Sequence, residues 1–162
     1  MTTSRPQTTT DAANRKEPSR PLILVVDDIL DNLLIISNIL EPHYQLRTVK
    51  SGEQALKVAA QLTVDLILLD VRMPEMDGYE VCNRLKANPY TVEIPVIFVT
   101  AAIDATEELQ GLSLGGVDYI SKPINPAILL ARIETQLTLH RTLQQQKRDN
   151  FELRKLLTAL ER

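Results

Sequence analysis

Five short apolar runs, most of them closed by a polar residue, punctuate the chain between Pro21 and Pro123. Leu22-Ile23-Leu24-Val25-Val26 ends in Asp27 and Asp28, Val64 to Leu69 ends in Asp70, and Val96 to Val99 ends in Thr100. A shorter run, Val117 to Ile120, leads into Ser121-Lys122-Pro123, and Tyr44 to Val49 is a weaker, more alternating fifth. Short runs apolar on both faces are what strands of a parallel sheet look like when helices cover both sides. Helical patterns fill the gaps. Leu30, Leu33, Leu34 and Ser37 to Leu40 form one, ended by Pro42. Ser51, with Gln54 three residues on, caps a second that carries Ala55, Leu56, Val58 and Ala59. Asp77 to Ala87 forms a third and Ala105 to Leu114 a fourth, stopped by Asn88-Pro89 and Gly115-Gly116 respectively. The fifth starts at Asn125-Pro126, a cap followed by a first-turn proline, and runs toward the C-terminus with Leu130, Ile133 and Leu137 toward the sheet. Strand and helix thus alternate five times, which requires parallel pairing through right-handed crossovers. The expected fold class is α/β, a doubly wound five-stranded parallel sheet with an extended C-terminal helix.

The flanks read differently. Residues 1–20, MTTSRPQTTTDAANRKEPSR, hold too little apolar surface to offset the entropy of ordering them, so a disordered N-terminal tail is expected there. The globular domain is expected over 21–138 and a helical extension over 139–162.

The polar residues that close the runs carry the chemistry. In an open parallel sheet the C-terminal strand ends share one edge, where ligand crevices form. Asp27, Asp28, Asp70, Thr100 and Lys122 should meet there. Three crowded carboxylates repel, and a cation relieves that. Only hard oxygen ligands are on offer, so Mg²⁺ is the expected metal. Mg²⁺ beside a carboxylate, a Lys and a hydroxyl is equipment for phosphoryl transfer with the carboxylate as acceptor. Nucleotide-binding readings are poor: no G-x-x-x-x-G-K-[ST] occurs and no G-x-G-x-x-G follows the first strand.

Composition narrows the partners. Aromatics are 4% of the 162 residues with no Trp, which disfavours stacking on single-stranded nucleic acid. The net charge of −3 lacks the basic excess of a general polyanion binder, so no direct nucleic-acid contact is expected. A lone Cys82 excludes an intrachain disulfide. No apolar run approaches the ~20 residues of a membrane span, and the N-terminus has no apolar stretch typical of a signal peptide. A cytoplasmic protein without a membrane contact is the expectation.

The motifs VVDD at 25–28, LLDVRMPEMDG at 68–78, FVTA at 98–101 and DYISKP at 118–123, each in order at a strand end, resemble the receiver domain of two-component response regulators. The resemblance covers roughly residues 22 to 138. It implies a flavodoxin-like sheet in the order 2-1-3-4-5. It also implies that Asp70 is the phosphoacceptor, receiving a phosphoryl group from the phosphohistidine of a partner histidine kinase or phosphotransfer protein. By the same resemblance, Asp28, helped by Asp27, holds Mg²⁺ with Asp70 and the backbone carbonyl of Arg72. Lys122 pairs with phosphoryl oxygens, Thr100 moves to hydrogen-bond one of them, and Tyr119 is the switch aromatic that turns inward as Thr100 moves. A cis Lys122–Pro123 bond is expected, since X-Pro bonds tolerate cis and the resemblance supports it. Arg72 borders the path of hydrolytic water, and Gly116 stands where the family more often has Ala; both bear on the lifetime of the phosphorylated state. An isolated strand-end Asp is ordinarily a turn or cap residue; convergence of five such residues on one edge reverses that reading for Asp70. Asp77-Gly78 reads as a loop turn, His43 and His140 as surface residues, and Cys82 as a partly buried small apolar residue.

Beyond the domain a heptad seam runs through Leu139, Leu143, Gln146, Asn150, Leu153, Leu157 and Leu160. Asn150 at an a position tends to fix register and a dimeric state, and Asp149 and Arg154 can pair across a parallel dimer. A homodimer through a coiled coil is expected, with Asp118 and Arg132 supplying ions to a receiver–receiver face. Because the pattern stops mid-seam, a downstream effector domain is expected to follow. The functional expectation is a phosphorylation-dependent receiver that signals through its C-terminal helix. It is not an enzyme apart from Mg-dependent self-phosphorylation and autodephosphorylation. The alternative is a phosphate-independent interaction module of the same fold, disfavoured because all five site residues are intact.

Overall fold

The computed structural model describes residues 19–101 and 104–161. Strand and helix alternate as β1 (Leu22–Val26), α1 (Leu30–Leu40), β2 (Gln45–Val49), α2 (Gly52–Gln61), β3 (Leu66–Asp70) and α3 (Gly78–Ala87). They continue as β4 (Val96–Thr100), α4 (Ala105–Ser113), β5 (Asp118–Ser121) and α5 (Pro126–Leu160). The five strands are all parallel in the order β2-β1-β3-β4-β5, the expected flavodoxin-like winding. Residues 1–18, most of the expected N-terminal tail, lie outside the described residues, as does Arg162.

The period of two along each strand divides the core into two layers. Leu24, Val26, Ile67, Leu69, Val96 and Phe98 pack against Ala55, Ala59, Val81, Cys82 and Leu85 of α2 and α3. Ile23, Val25, Leu66, Leu68, Ile97, Val99 and Ile120 pack against Leu33, Ile36 and Leu40 of α1 and Leu129, Ile133 and Leu137 of α5. Each fully buried Leu or Ile contributes on the order of 1.5–3 kcal/mol, so the central strands, covered on both faces, carry most of the stability. Side chains cap the starts of α2 to α5, whereas Ile29 at the start of α1 offers none. Ser51 Oγ accepts from the Gln54 amide (3.2 Å), Asp77 Oδ1 from Glu80 (2.9 Å), and Asn125 Oδ1 from Ala127 (3.0 Å).

Two details depart from the sequence reading, and the structure adds which stripe of α1 is covered. On α1 the buried stripe is Leu33, Ile36 and Leu40, while Leu30 and Leu34 face outward with Ile35. On α5 Leu129 is sealed and Leu130 only half-buried, because Leu129 and not Leu130 sits one turn before Ile133 on the sheet side. Cys82 is fully buried, its thiol directed at the Leu114 carbonyl (3.7 Å). His43 is exposed and His140 half-buried. The α5 helix passes residue 138 without a break; what ends near there is side-chain burial, at Leu137.

Candidate functional site

Because the strands are parallel, all five present their C-terminal ends at one edge, and the polar residues that close the apolar runs meet there. Asp27 and Asp28 follow β1, Asp70 ends the neighbouring β3, Thr100 ends β4, and Lys122 follows β5. Asp27, Asp28 and Asp70 each bring one carboxylate oxygen within 4.8 Å of the others. Lys122 Nζ reaches Asp27 Oδ2 at 2.9 Å and Asp70 Oδ1 at 3.4 Å. The other Asp27 oxygen accepts the Ile29 amide at 2.9 Å, which orients the carboxylate. Thr100 is buried, and its carbonyl accepts the Lys122 amide at 2.9 Å, tying β4 to the turn that carries the lysine. The Lys122–Pro123 bond is cis, as expected.

The electrostatics are those of a site with excess negative charge. Asp70 is only 5% exposed, and burial, then the neighbouring Asp27, push its pKa up to about 6 against the opposing pull of Lys122. Asp28 Oδ1 is buried without a hydrogen-bond partner. A buried carboxylate oxygen left unpaired is costly, and one ammonium cannot neutralise three acids. An all-oxygen donor set with an orphaned lone pair fits a small hard divalent cation such as Mg²⁺.

The loop after Asp70 is pinned by Gly78, whose amide donates to the Val71 carbonyl at 2.8 Å. A Cβ on Gly78 would stand 2.9 Å from Val71 Cα, so the close approach excludes any larger residue. Glu75 takes a left-handed φ of 67° within this loop, a conformation uncommon outside glycine. Arg72 lies on the same loop with its side chain exposed, 3.5 Å from Glu107 of α4.

Tyr119 is buried, its ring packed on Phe98 with centroids 5.1 Å apart. Its hydroxyl donates to the Glu107 carbonyl of α4 at 2.9 Å. Burial, then the neighbouring Tyr79 hydroxyl, raises its pKa above the ordinary phenol value. Tyr79 and Glu107 were not singled out by the sequence; the only signal was an aromatic directly after Asp77-Gly78. Asp118 and Arg132, expected to serve a face between copies, pair with each other at 3.4 Å, and Arg132 also donates to the Tyr119 carbonyl.

Comparison with known proteins converges on one family. Residues 23–134 match the family model described as the response regulator receiver domain. The chain is 45% identical over 119 residues to a probable cyclic di-GMP phosphodiesterase of Vibrio cholerae serotype O1, covering 74% of this chain and 27% of that protein. It is 43% identical over 114 residues to the response regulator PleD of Caulobacter vibrioides, covering 70% of this chain and 25% of that one. The chain thus matches about a quarter of the length of these two relatives. Among solved structures it resembles the Vibrio cholerae chemotaxis protein CheY4 with a TM-score of 0.69 at 26% identity, over 72% of this chain and 98% of that one.

Proposed function

The chain belongs to the response regulator receiver family, and on that premise we propose that it is a phosphorylation-dependent receiver whose acceptor is Asp70. The observation that carries the reading is Lys122 Nζ lying against both Asp27 and Asp70 (2.9 and 3.4 Å) beside the unpartnered Asp28 oxygen. The donor is the phosphohistidine of a histidine kinase or phosphotransfer protein. An Asp70 carboxylate oxygen bonds to phosphorus as the P–N bond breaks, and the electron pair of that bond leaves with the imidazole. Lys122 supplies a positive charge at the point where phosphoryl oxygens arrive, and Asp27 holds it there. Thr100 offers its hydroxyl to one of those oxygens. Asp27, Asp28, Asp70 and the Arg72 backbone carbonyl are the groups that would hold Mg²⁺, whose charge, when bound, offsets that of the transferring group. The same positive charge would draw the Asp70 pKa back down, keeping the nucleophile ionised.

Tyr119 serves as the switch aromatic next to α4. Output travels along α5, whose exposed leucines pair with a second copy, toward an effector domain. Such a relay belongs in the cytoplasm; among the described residues no helix is long and apolar enough to cross a membrane. Incubation of the full chain with acetyl phosphate should add one phosphate by intact mass, only with Mg²⁺ present, and Asp70→Asn should remove it. Labelling that survives in Asp70→Asn overturns the assignment.

A further inference from the structure

Past Leu137, α5 runs alongside the base of the receiver, the sheet edge opposite the acids. An open groove lies between them, lined by Pro95 and Val117 on the receiver side and by Leu139 and Leu143 on the helix. Both leucines stay half-exposed, so apolar packing does not close the gap. Among the described residues, the hydrogen bonds that bridge it end on one carboxylate. Glu93, in the loop before β4, accepts Lys147 Nζ at 2.8 Å and also the Gln144 amide.

The loop that carries Glu93 is itself held. Lys86, near the end of α3, donates to the Val92 carbonyl at 3.0 Å and to the Ile94 carbonyl at 2.7 Å, gripping the backbone on both sides of Glu93. Its alkyl chain lies against the turn after α4, where Gly115 takes a left-handed φ of 104° and a Cβ would stand 2.9 Å from Lys86 Cγ. One lysine thus joins α3, the turn after α4 and the Glu93 loop. On α5, Gln144 and Lys147 continue the stripe of Ile133, Leu137 and His140 at alternating steps of four and three. At about 3.6 residues per turn, the seam residues Leu139, Leu143 and Asn150 lie roughly a third of a turn away from that stripe. The clamp and the seam therefore use different faces, and both can be engaged at once.

We propose that Lys86 and Glu93 are positioning residues of the output helix: through Gln144 and Lys147 they fix the direction in which α5 leaves the receiver, and with it the direction in which the leucine seam faces. The proposal rests on the reading of α5 as the output element and deepens it. An exposed ion pair adds little to global stability. Its effect here is local, because a helix without a packed face frays and bends readily, and beyond Leu137 little apolar burial opposes that.

Spin labels at Lys57→Cys in α2 and Glu152→Cys in the extension test this by double electron–electron resonance on the full chain, diluted with unlabelled protein. Both positions are exposed, and the native Cys82 is sealed. The otherwise unchanged chain should give one narrow distance. Glu93→Ala should at least double the width of that distribution. Lys86→Met, which keeps the alkyl chain against Gly115 and removes the ammonium, should do the same, and the two together should go no further than either alone. Exchanging the pair, Glu93→Lys with Lys147→Glu, should restore a narrow distance, and this exposed swap decides the matter even where Lys86→Met fails to fold. A distance already broad in the parent, one unchanged by Glu93→Ala, or a swap as broad as Glu93→Ala overturns the proposal. A folded Lys86→Met that keeps the narrow distance removes Lys86 from it. Dilution makes the distance independent of pairing between copies. A narrow distance in a chain that light scattering finds monomeric when phosphorylated therefore defeats the output reading and leaves the clamp standing.

Discussion

Along the single helix α5, Leu129, Ile133 and Leu137 are sealed against the sheet, whereas Leu143, Leu153, Leu157 and Leu160, at similar helical spacings, stand 48%, 55%, 52% and 81% exposed. The two halves share one backbone conformation and one kind of periodicity, and differ in whether anything lies opposite the apolar stripe. Between them Glu93, in the loop after α3, ties the extension back to the domain: it accepts Lys147 Nζ at 2.8 Å and also the Gln144 amide. Those two donors, Lys147 first, hold the Glu93 carboxyl below its usual pKa. An apolar stripe thus marks a face that seeks cover, and the domain supplies that cover only as far as its sheet extends.

The contrast can be broken most sharply by truncating one leucine-sized side chain in each half. Ile133→Ala should cost about 2–5 kcal/mol in urea unfolding, the usual range for a sealed aliphatic residue. Leu157→Ala, in dilute monomer, should stay within about 0.5 kcal/mol of wild type. Equal costs would mean the extension is packed in a way its exposure does not show.

Dimerisation is where the exposed half should matter. Light scattering should show phosphorylated full-length chain associating, with Leu153→Ala combined with Leu157→Ala weakening association about a hundredfold, equivalent to ~2.8 kcal/mol. A chain cut after Thr138 should lose it. Persistent dimers in the double variant would move the interface onto the receiver itself.

A pH profile sharpens the other side of the comparison, since the acidic edge belongs to the domain alone. The folded pKa of Asp70, about 6, lies above its ordinary value of 3.8. Folded protein therefore binds that proton more tightly than unfolded, and stability from this group is full below the lower value and lost as pH rises through the higher one. Relative to Asp70→Asn, metal-free wild type should lose about 1–3 kcal/mol between those limits and regain it on addition of Mg²⁺. Removing residues beyond Thr138 should leave the profile unaltered.

The smallest effect belongs to the tie between the halves. Lys147→Ala removes an exposed ion pair and should change global stability by less than about 1 kcal/mol. Hydrogen exchange of the amides near Gln144 and Lys147 should nevertheless quicken, because local fraying costs less than global unfolding. Unchanged exchange would show that the tie does not hold the helix.

Legibility followed the range of the interactions. Asp27, Asp28, Asp70, Thr100 and Lys122 were readable because each closes an apolar run, and parallel pairing leaves such residues no other edge to occupy. The helix caps Ser51, Asp77 and Asn125 were readable because capping acts across three residues. The Tyr79–Tyr119 contact joins α3 to β5 across Phe98, with the Glu107 carbonyl of α4 accepting from both rings. The Asp118–Arg132 pairing closes within the chain only because α5 packs back beside β5. Neither leaves a local pattern, since a hydroxyl or a charge at one position is compatible with many partners.

By itself the sequence determined the alternation of strands and helices, the two-sided burial of the sheet and the membership of the acidic edge, because periodicity, capping and strand termination act between near neighbours. Only the tertiary structure decided which stripe of α1 and α5 is covered, that Asp28 keeps an unpartnered oxygen, and that Gly111 and Gly116 leave room for a buried Tyr119. Those outcomes depend on the distance between elements far apart in the chain, and packing at native density fixes that distance to within a fraction of a methyl group.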